Sequence, residues 1–179
     1  MDLRERKTKR AIRDAFLQLR AKKPLERITI KELSELAEIS KATFYLHYKD
    51  IYDLSEQLQN EIVQDIMSAV SQDEAALVDM EQTAKKLYAA FCSHQHLIDI
   101  LFSGNQASAL PGSIEQGIKD SIYRIKPEAK EDAVFNVLLS YQIQGGFHAY
   151  MENRKLLGDE IILNILDELS GILNKAREI

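Results

Sequence analysis

Three prolines, Pro24, Pro111 and Pro127, are the only strong obstacles to continuous helix in 179 residues, and 7 glycines add weaker ones. Proline lacks the backbone donor and clashes with the preceding turn, costing about 3 kcal/mol inside a helix; glycine costs about 1. So few breakers in so long a chain predict long helices. No strand pattern and no internal repeat competes with them, so the fold class read from the sequence is all-α. The length fits one domain, or two small ones fused, and can bury a core without a disulfide or metal staple. Apolar residues at 45% and charged residues at 28% argue against collagen-like, purely coiled-coil and disordered chains.

The single cysteine, Cys92, excludes an intramolecular disulfide framework and suggests a reducing compartment. No apolar run reaches the roughly 18–20 residues of a membrane span. The first residues, Met1 to Lys7, are charged and lack the apolar stretch of a signal peptide. The expected location is the cytoplasm, with no membrane partner.

The net charge of −5 hides an asymmetry. Residues 1–49 hold 13 Lys and Arg against 7 Asp and Glu, a net of +6, whereas residues 50–179 hold 10 against 21, a net of −11. A basic head on an acidic body suits a protein whose first segment meets a polyanion. A solvated helix face that happens to be basic is the plainer alternative.

Residues 4–20 read as an amphipathic helix with Ile12, Ala15, Phe16 and Leu19 on its apolar stripe. Arg4, Arg6, Lys7, Lys9, Arg10 and Arg13 crowd its first half, where the helix dipole disfavours cations, which hints at an external anion. Next, Thr29 and Glu32 form a T-x-x-E capping box with Ile28 placed as a staple, and Ile30, Leu33, Leu36 and Ala37 as the buried stripe. Ser40 is the N-cap of a third helix through Tyr48, and Asp50 caps a fourth from Ile51 to about Val70 that contains no Gly or Pro hinge. Two short helices joined by a tight turn on a basic segment make a helix-turn-helix. Leu33, Leu36, Ile39 and Phe44 are expected to clamp its helices together.

The run Thr29-Ile30-Lys31-Glu32-Leu33 … Leu36-Ala37-Glu38-Ile39-Ser40-Lys41-Ala42-Thr43-Phe44-Tyr45-Leu46-His47-Tyr48-Lys49-Asp50 resembles the DNA-binding signature of the TetR-type (TetR/AcrR) transcriptional regulators. The resemblance covers roughly residues 4–60 and is weak beyond residue 75. It implies a three-helix DNA-binding domain over 1–49, followed by a helical ligand-binding and dimerisation domain over 50–179. Two departures stand out. The family usually has Gly where this chain has Glu38, so a left-handed turn there would cost roughly 1 kcal/mol. It often has a second Lys at the position of Ile51, which removes one phosphate contact here.

Lys41, Ala42 and Thr43 occupy the first turn of the recognition helix, which reaches base edges in a helix-turn-helix. Lys41 can donate to guanine, Ala42 can touch a thymine methyl and Thr43 offers its hydroxyl or methyl; simple solvation is the alternative for Lys41. Thr29 matches a family position that bonds a phosphate, alongside or instead of capping. Tyr45 and His47 match positions that contact the DNA backbone, and Lys49 is a plausible phosphate partner. Phe44 is read as core, and Tyr48 as packing under the first helix.

In the body, helices are expected over 79–94, 96–103, 112–125, 128–152 and 159–176. Resemblance implies that the last two pair with their symmetry mates, through Leu138, Ile162, Leu166, Leu169 and Leu173, although burial within one subunit would explain the same pattern. It also implies a ligand pocket between the fourth helix and those that follow. Tyr88, Phe91, Phe102, Tyr123, Phe135, Tyr141 and Phe147 are candidate lining, with ordinary core packing as the alternative for each. Gly145-Gly146 inside a helix implies either a close approach or a kink.

The run Cys92-Ser93-His94-Gln95-His96 places Cys92 and His96 on one helix face but matches no metal-ligand spacing, so no metal and no cofactor are expected. No nucleotide-binding or hydrolase motif occurs. The resulting expectation is a non-enzymatic, homodimeric regulator, a repressor released from a roughly palindromic double-stranded operator by a small-molecule effector. A DNA-binding co-activator or architectural protein without effector-driven release is the alternative. An all-α enzyme is a third possibility, for which no acid–base constellation speaks.

Overall fold

The computed structural model describes residues 3–71, Leu77 and 79–176. Every regular element among them is helical: α1 (Leu3–Arg20), α2 (Ile30–Leu36), α3 (Lys41–Tyr45), α4 (Ile51–Ser71), α5 (Met80–Leu101), α6 (Ala109–Ile125), α7 (Ala133–Leu157) and α8 (Asp159–Ala176), with three short 3₁₀ turns. The chain falls into two compact units. The first is Met1–Ile62 with His96–Ala107, and the second is Val63–Gln95 with Ser108–Ile179.

In the first unit α1 buries Ile12, Ala15, Phe16 and Leu19, the stripe at steps of three and four that its periodicity predicts. The core continues through Leu25, Ile28, Leu33, Phe44, Tyr48, Leu54 and Leu58 to Ile98, Leu101 and Phe102. Arg20 is buried with this core. Its guanidinium donates to the carbonyl oxygens of Ser103 at 2.9 Å and Lys23 at 3.3 Å, which ties the end of α1 to the segment after α5. Burial draws its pKa below the usual arginine value, with Glu26 opposing.

Local chemistry sets the short helices. Thr29 Oγ1 accepts from Glu32 N at 3.3 Å, but the return half of the expected capping box is not made, because the Glu32 carboxylate pairs with Lys23. α2 ends in a Schellman motif: Ile39 N donates to Ser34 O at 3.0 Å and Glu38 N to Glu35 O at 3.3 Å. That motif needs a left-handed residue, and Glu38 supplies it at φ 54°, alone among the described non-glycine residues. Its Cβ meets the strain that glycine avoids. Glu38→Gly is therefore expected to raise unfolding stability by about 0.5–1 kcal/mol, the relieved strain being partly offset by glycine's greater freedom in the unfolded chain. Urea denaturation measures this, and a variant no more stable than the parent would contradict it.

Four expectations need correction here. Leu36 does not clamp the hairpin: it is 45% exposed, and the clamp consists of Leu33, Ala37 and Phe44 with Ile39 half-buried. The third helix stops at Tyr45 instead of Tyr48. The segments 79–94 and 96–103 are one helix, α5, because nothing at Gln95 interrupts its hydrogen-bond ladder. α6 begins at Ala109 and holds Pro111 in its first turn, where a missing N–H costs little.

In the second unit α7 packs on both α6 and α8. Asp132 caps α7, accepting from Phe135 N at 2.9 Å, and Gly158 at φ 82° ends it, so α8 starts at Asp159. The 127–130 stretch is a 3₁₀ turn ahead of α7. Leu110, Ile114, Ile118 and Ile122 form the buried row of α6, and Ile162, Leu166 and Ser170 that of α8. Gly146 is explained by close approach: an added Cβ would lie 2.6 Å from the Tyr88 hydroxyl. A Cβ on Gly145 would meet nothing within 4 Å. No helix among the described residues is long and apolar enough to cross a membrane.

Candidate nucleic-acid interface and cavity

α3 is only five residues long, so its direction is set by its ends and by one anchor. Ser40 caps it, accepting from Thr43 N at 3.0 Å, and Phe44 is fully buried beneath it. With Phe44 inward, Lys41, Ala42 and Tyr45 are turned to solvent, Tyr45 being 57% exposed with its ring edge-on to Phe44 at 5.7 Å. Thr43 is half-buried, and its Oγ1 lies 2.8 Å from Ser40 Oγ, so the cap already engages the hydroxyl. Thr29 is exposed at the α2 N-terminus, where its oxygen caps the helix. His47 is half-buried beside Tyr48, with ring centroids 6.4 Å apart. Leu46, which the sequence reading left without a role, is 80% exposed on the same side of α3 as Ala42.

Lys49 is exposed at the start of α4, where a reciprocal cap holds the backbone. Asp53 N donates to Asp50 Oδ1 at 2.8 Å and Lys49 N donates to Asp53 Oδ2 at 2.8 Å. The Lys49 N–H and then the Gln57 amide hold the Asp53 carboxyl below its usual range, with desolvation opposing them and the Lys49 charge adding least. Ile51 is 5% exposed. Ile51 therefore completes the core at the position where the resemblance often places a lysine.

The cations of α1 are partly matched within the unit. Lys9 lies 3.2 Å from Glu5, Arg10 3.8 Å from Asp14 and Arg13 2.9 Å from Glu61. The paired cations lie beyond the first turn of α1, so these pairs neutralise part of its basic face without answering the dipole cost at its start. Lys9, Arg10, Arg13, Asp14, Tyr48, Leu58 and Glu61 line an open cleft of about 470 Å³. Burial pushes the Tyr48 hydroxyl up, with Glu61 and Asp53 adding to the effect.

The second unit holds a groove of about 120 Å³ among α5, α7 and α8, bordered by Tyr88, Tyr141, Gln142, Gly145, Leu169 and Ser170. Tyr88 also borders a small space of about 10 Å³ lined by Phe91, Leu139 and Ile143. Of the aromatic candidates, Tyr88, Phe91 and Tyr141 border these spaces. Phe102 lies in the first unit's core. Tyr123 donates to Asn136 Oδ1, Phe135 is buried, and Phe147 packs edge-on against Phe91 at 5.5 Å. Sequence reasoning missed Ser170, whose signal was a hydroxyl in the apolar i, i+4 row after Ile162 and Leu166. Gln142 Nε2 donates to Ser170 Oγ at 3.0 Å, and Ser170 donates to Leu166 O at 2.8 Å.

Of the five residues implied for dimerisation, Ile162 and Leu166 are only 4% exposed and are covered within the chain. Leu138 and Leu173 are half-buried, and Leu169 is exposed. Besides Leu169, the residues Val134, Val137 and Tyr141 on α7 and Ile161, Ile165 and Ile172 on α8 face outward.

Cys92 and His94 point to separate partners. Cys92 Sγ is 3.8 Å from the Tyr150 hydroxyl, which donates to Asp159 Oδ1 at 2.9 Å, while His94 Nε2 is 3.6 Å from Asp65 Oδ2. Among the described residues no three His, Cys, Asp or Glu side chains are grouped to hold a metal ion. In comparisons with known proteins, the chain matches no family model and no curated protein.

Proposed function

We propose that the chain is a homodimeric DNA-binding transcriptional regulator of the TetR type, a cytoplasmic repressor released from a roughly palindromic operator by a small effector. The observation that carries this reading is the seating of α3. Phe44 anchors it, Ser40 caps it, and Lys41, Ala42 and Tyr45 project outward from the basic end of the chain. A helix so presented fits a major groove, where an amine reads guanine and a methyl meets thymine. Thr29, His47 and Lys49 lie in the same hairpin and its exit, and serve the phosphates on either side.

Selection from a random duplex pool, followed by anisotropy titration of the enriched sequence at several salt concentrations, tests the reading. If a dimer neutralises about 8 phosphates, log affinity should fall with log salt at a slope near −7. No enrichment, or a slope near zero, would defeat it.

The size of the groove favours a second reading in one respect. Drug-sized ligands occupy roughly 300–1,000 Å³, and the groove is about 120 Å³. A co-activator or architectural protein with the same head needs no effector, and operator affinity that no small molecule alters would select it.

A further inference from the structure

Leu46 is 80% exposed, more than any other large apolar side chain among the described residues of the first unit. Its backbone N–H donates to Ala42 O at 3.2 Å, so it stands one helical turn beyond Ala42 on the same face of α3. The turn that follows, with His47 N and Tyr48 N donating to Phe44 O, returns Tyr48 to the core and leaves Leu46 outside it. Ala42 is exposed as well, so the pair presents a methyl and an isobutyl group as a short apolar strip. Lys41 precedes that strip and Lys49 follows it, both exposed. A single exposed leucine needs no partner. An apolar strip flanked by cations, on the outward face of a helix at the basic end of the chain, fits a surface that is itself apolar in places and anionic around them. The major groove is such a surface: the thymine C5 methyl is the apolar group on its base edges, and phosphates border it on both sides.

We propose that Leu46 is a specificity-determining residue, reading a thymine methyl together with Ala42, so that each operator half-site carries two thymines within three successive base pairs. Four residues at about 1.5 Å rise separate the two side chains by about 6 Å along the helix. Base pairs stack about 3.4 Å apart, so the strip spans about two steps of the groove. Either strand can supply each methyl, because A·T and T·A both expose one in the major groove. Leucine has no hydrogen-bonding group, so a G·C pair against it would have a donor or acceptor covered without a partner. This role rests on the proposed DNA-binding reading and adds to it the base composition of the site and a residue that reads it.

Selection of duplexes from a random pool by the full chain, followed by replacement of single thymines in the enriched sequence with deoxyuridine, tests it. Uracil keeps the pairing and the O4 acceptor and lacks only the methyl. Replacing the thymine read by Leu46 should weaken binding of the parent about fourfold per half-site and about fifteenfold for both, the worth of burying one methyl group in each. Leu46→Ala should bind the thymine and uracil duplexes within about twofold of each other at that position and keep the penalty at the Ala42 position. It should also keep the parent's thermal melt, since the side chain it trims is exposed. Enriched half-sites without the two thymines, a parent indifferent to uracil, or a Leu46→Ala variant that keeps every uracil penalty would overturn the inference and leave the DNA-binding reading standing. A Leu46→Ala variant that binds the duplex as the parent does but sediments differently would assign the strip to a protein contact and overturn it too. No enrichment by the parent would remove both.

Discussion

Ile165→Glu is expected to leave a folded monomer that no longer holds an operator tightly. Ile165 is exposed in the outward row of α8 with Ile161, Leu169 and Ile172, and α7 exposes Val134, Val137 and Tyr141. Soluble monomers rarely expose large apolar patches, and these seven exposed large apolar side chains on two packed helices point to a covered face. A two-fold seam is self-complementary, so one substitution introduces two carboxylates into it. Each would be desolvated without a counter-charge, at a cost of several kcal/mol, enough to shift the dimer constant by at least about a thousandfold. Losing the second head removes its effective concentration, expected to weaken operator binding about 10²–10⁴-fold. Sedimentation at micromolar concentration and operator titration read the two effects, while circular dichroism checks the fold. A parent protein that sediments as a monomer, or an Ile165→Glu variant that remains a dimer, would remove this seam from the account. Ile162→Glu provides the contrast: with that side chain covered inside the chain, it should cost stability first.

That contrast marks where the sequence ceased to be legible. The apolar stripe of α8 is wide, and periodicity alone does not divide it. Only packing against α7 separates the inward row, Ile162, Leu166 and Ser170, from the outward row, Ile161, Ile165, Leu169 and Ile172. Leu36 failed similarly. It has the spacing of a buried residue, but the buried side of α2 is taken by Leu33, Ser34 and Ala37, so its exposure was a tertiary fact. Features that act over three or four residues were legible. Thr29, Ser40 and Asp50 each cap the helix that follows, and the cost expected at Glu38 appears as its positive φ. The end of α3 escaped because it is closed by a tight backbone turn, His47 N and Tyr48 N both donating to Phe44 O at 2.9 and 3.1 Å, and no breaker announces it.

The candidate site divides along the same line. Exposure of Lys41, Ala42 and Tyr45 follows from Phe44 pointing inward, a one-residue inference from helical geometry. The groove required α5, α7 and α8 together. Gly145-Gly146 pointed toward it in the sequence, but only the structure assigns the two glycines different tasks, one making room for Tyr88 and the other leaving space.

Lys41→Ala is expected to change which sequences are enriched, not merely how tightly they bind. An exposed ammonium on the first turn of α3 can satisfy guanine O6 and N7 together, worth about 1–3 kcal/mol, or roughly 5–150-fold against the wrong base. Removing it should relax preference at one position in each half-site and leave the others intact. Lys49→Ala should behave differently, because its charge sits at the helix exit: affinity falls alike for all sequences, and the salt slope shrinks by about 1 per head. Thr43 calls for a subtler exchange. Its hydroxyl is held by Ser40 at 2.8 Å, so Thr43→Val, which keeps a methyl and deletes that bond, separates methyl reading from capping. If the methyl reads a base, the Val variant retains the enriched sequence and loses only stability, by about 1 kcal/mol. Parallel enrichment of the parent and the three variants from one duplex pool gives all these readouts. An unchanged preference in the Lys41 variant, with affinity reduced uniformly, would move Lys41 from the base edges to the phosphates and leave the reading to Ala42, Tyr45 and the exposed Leu46.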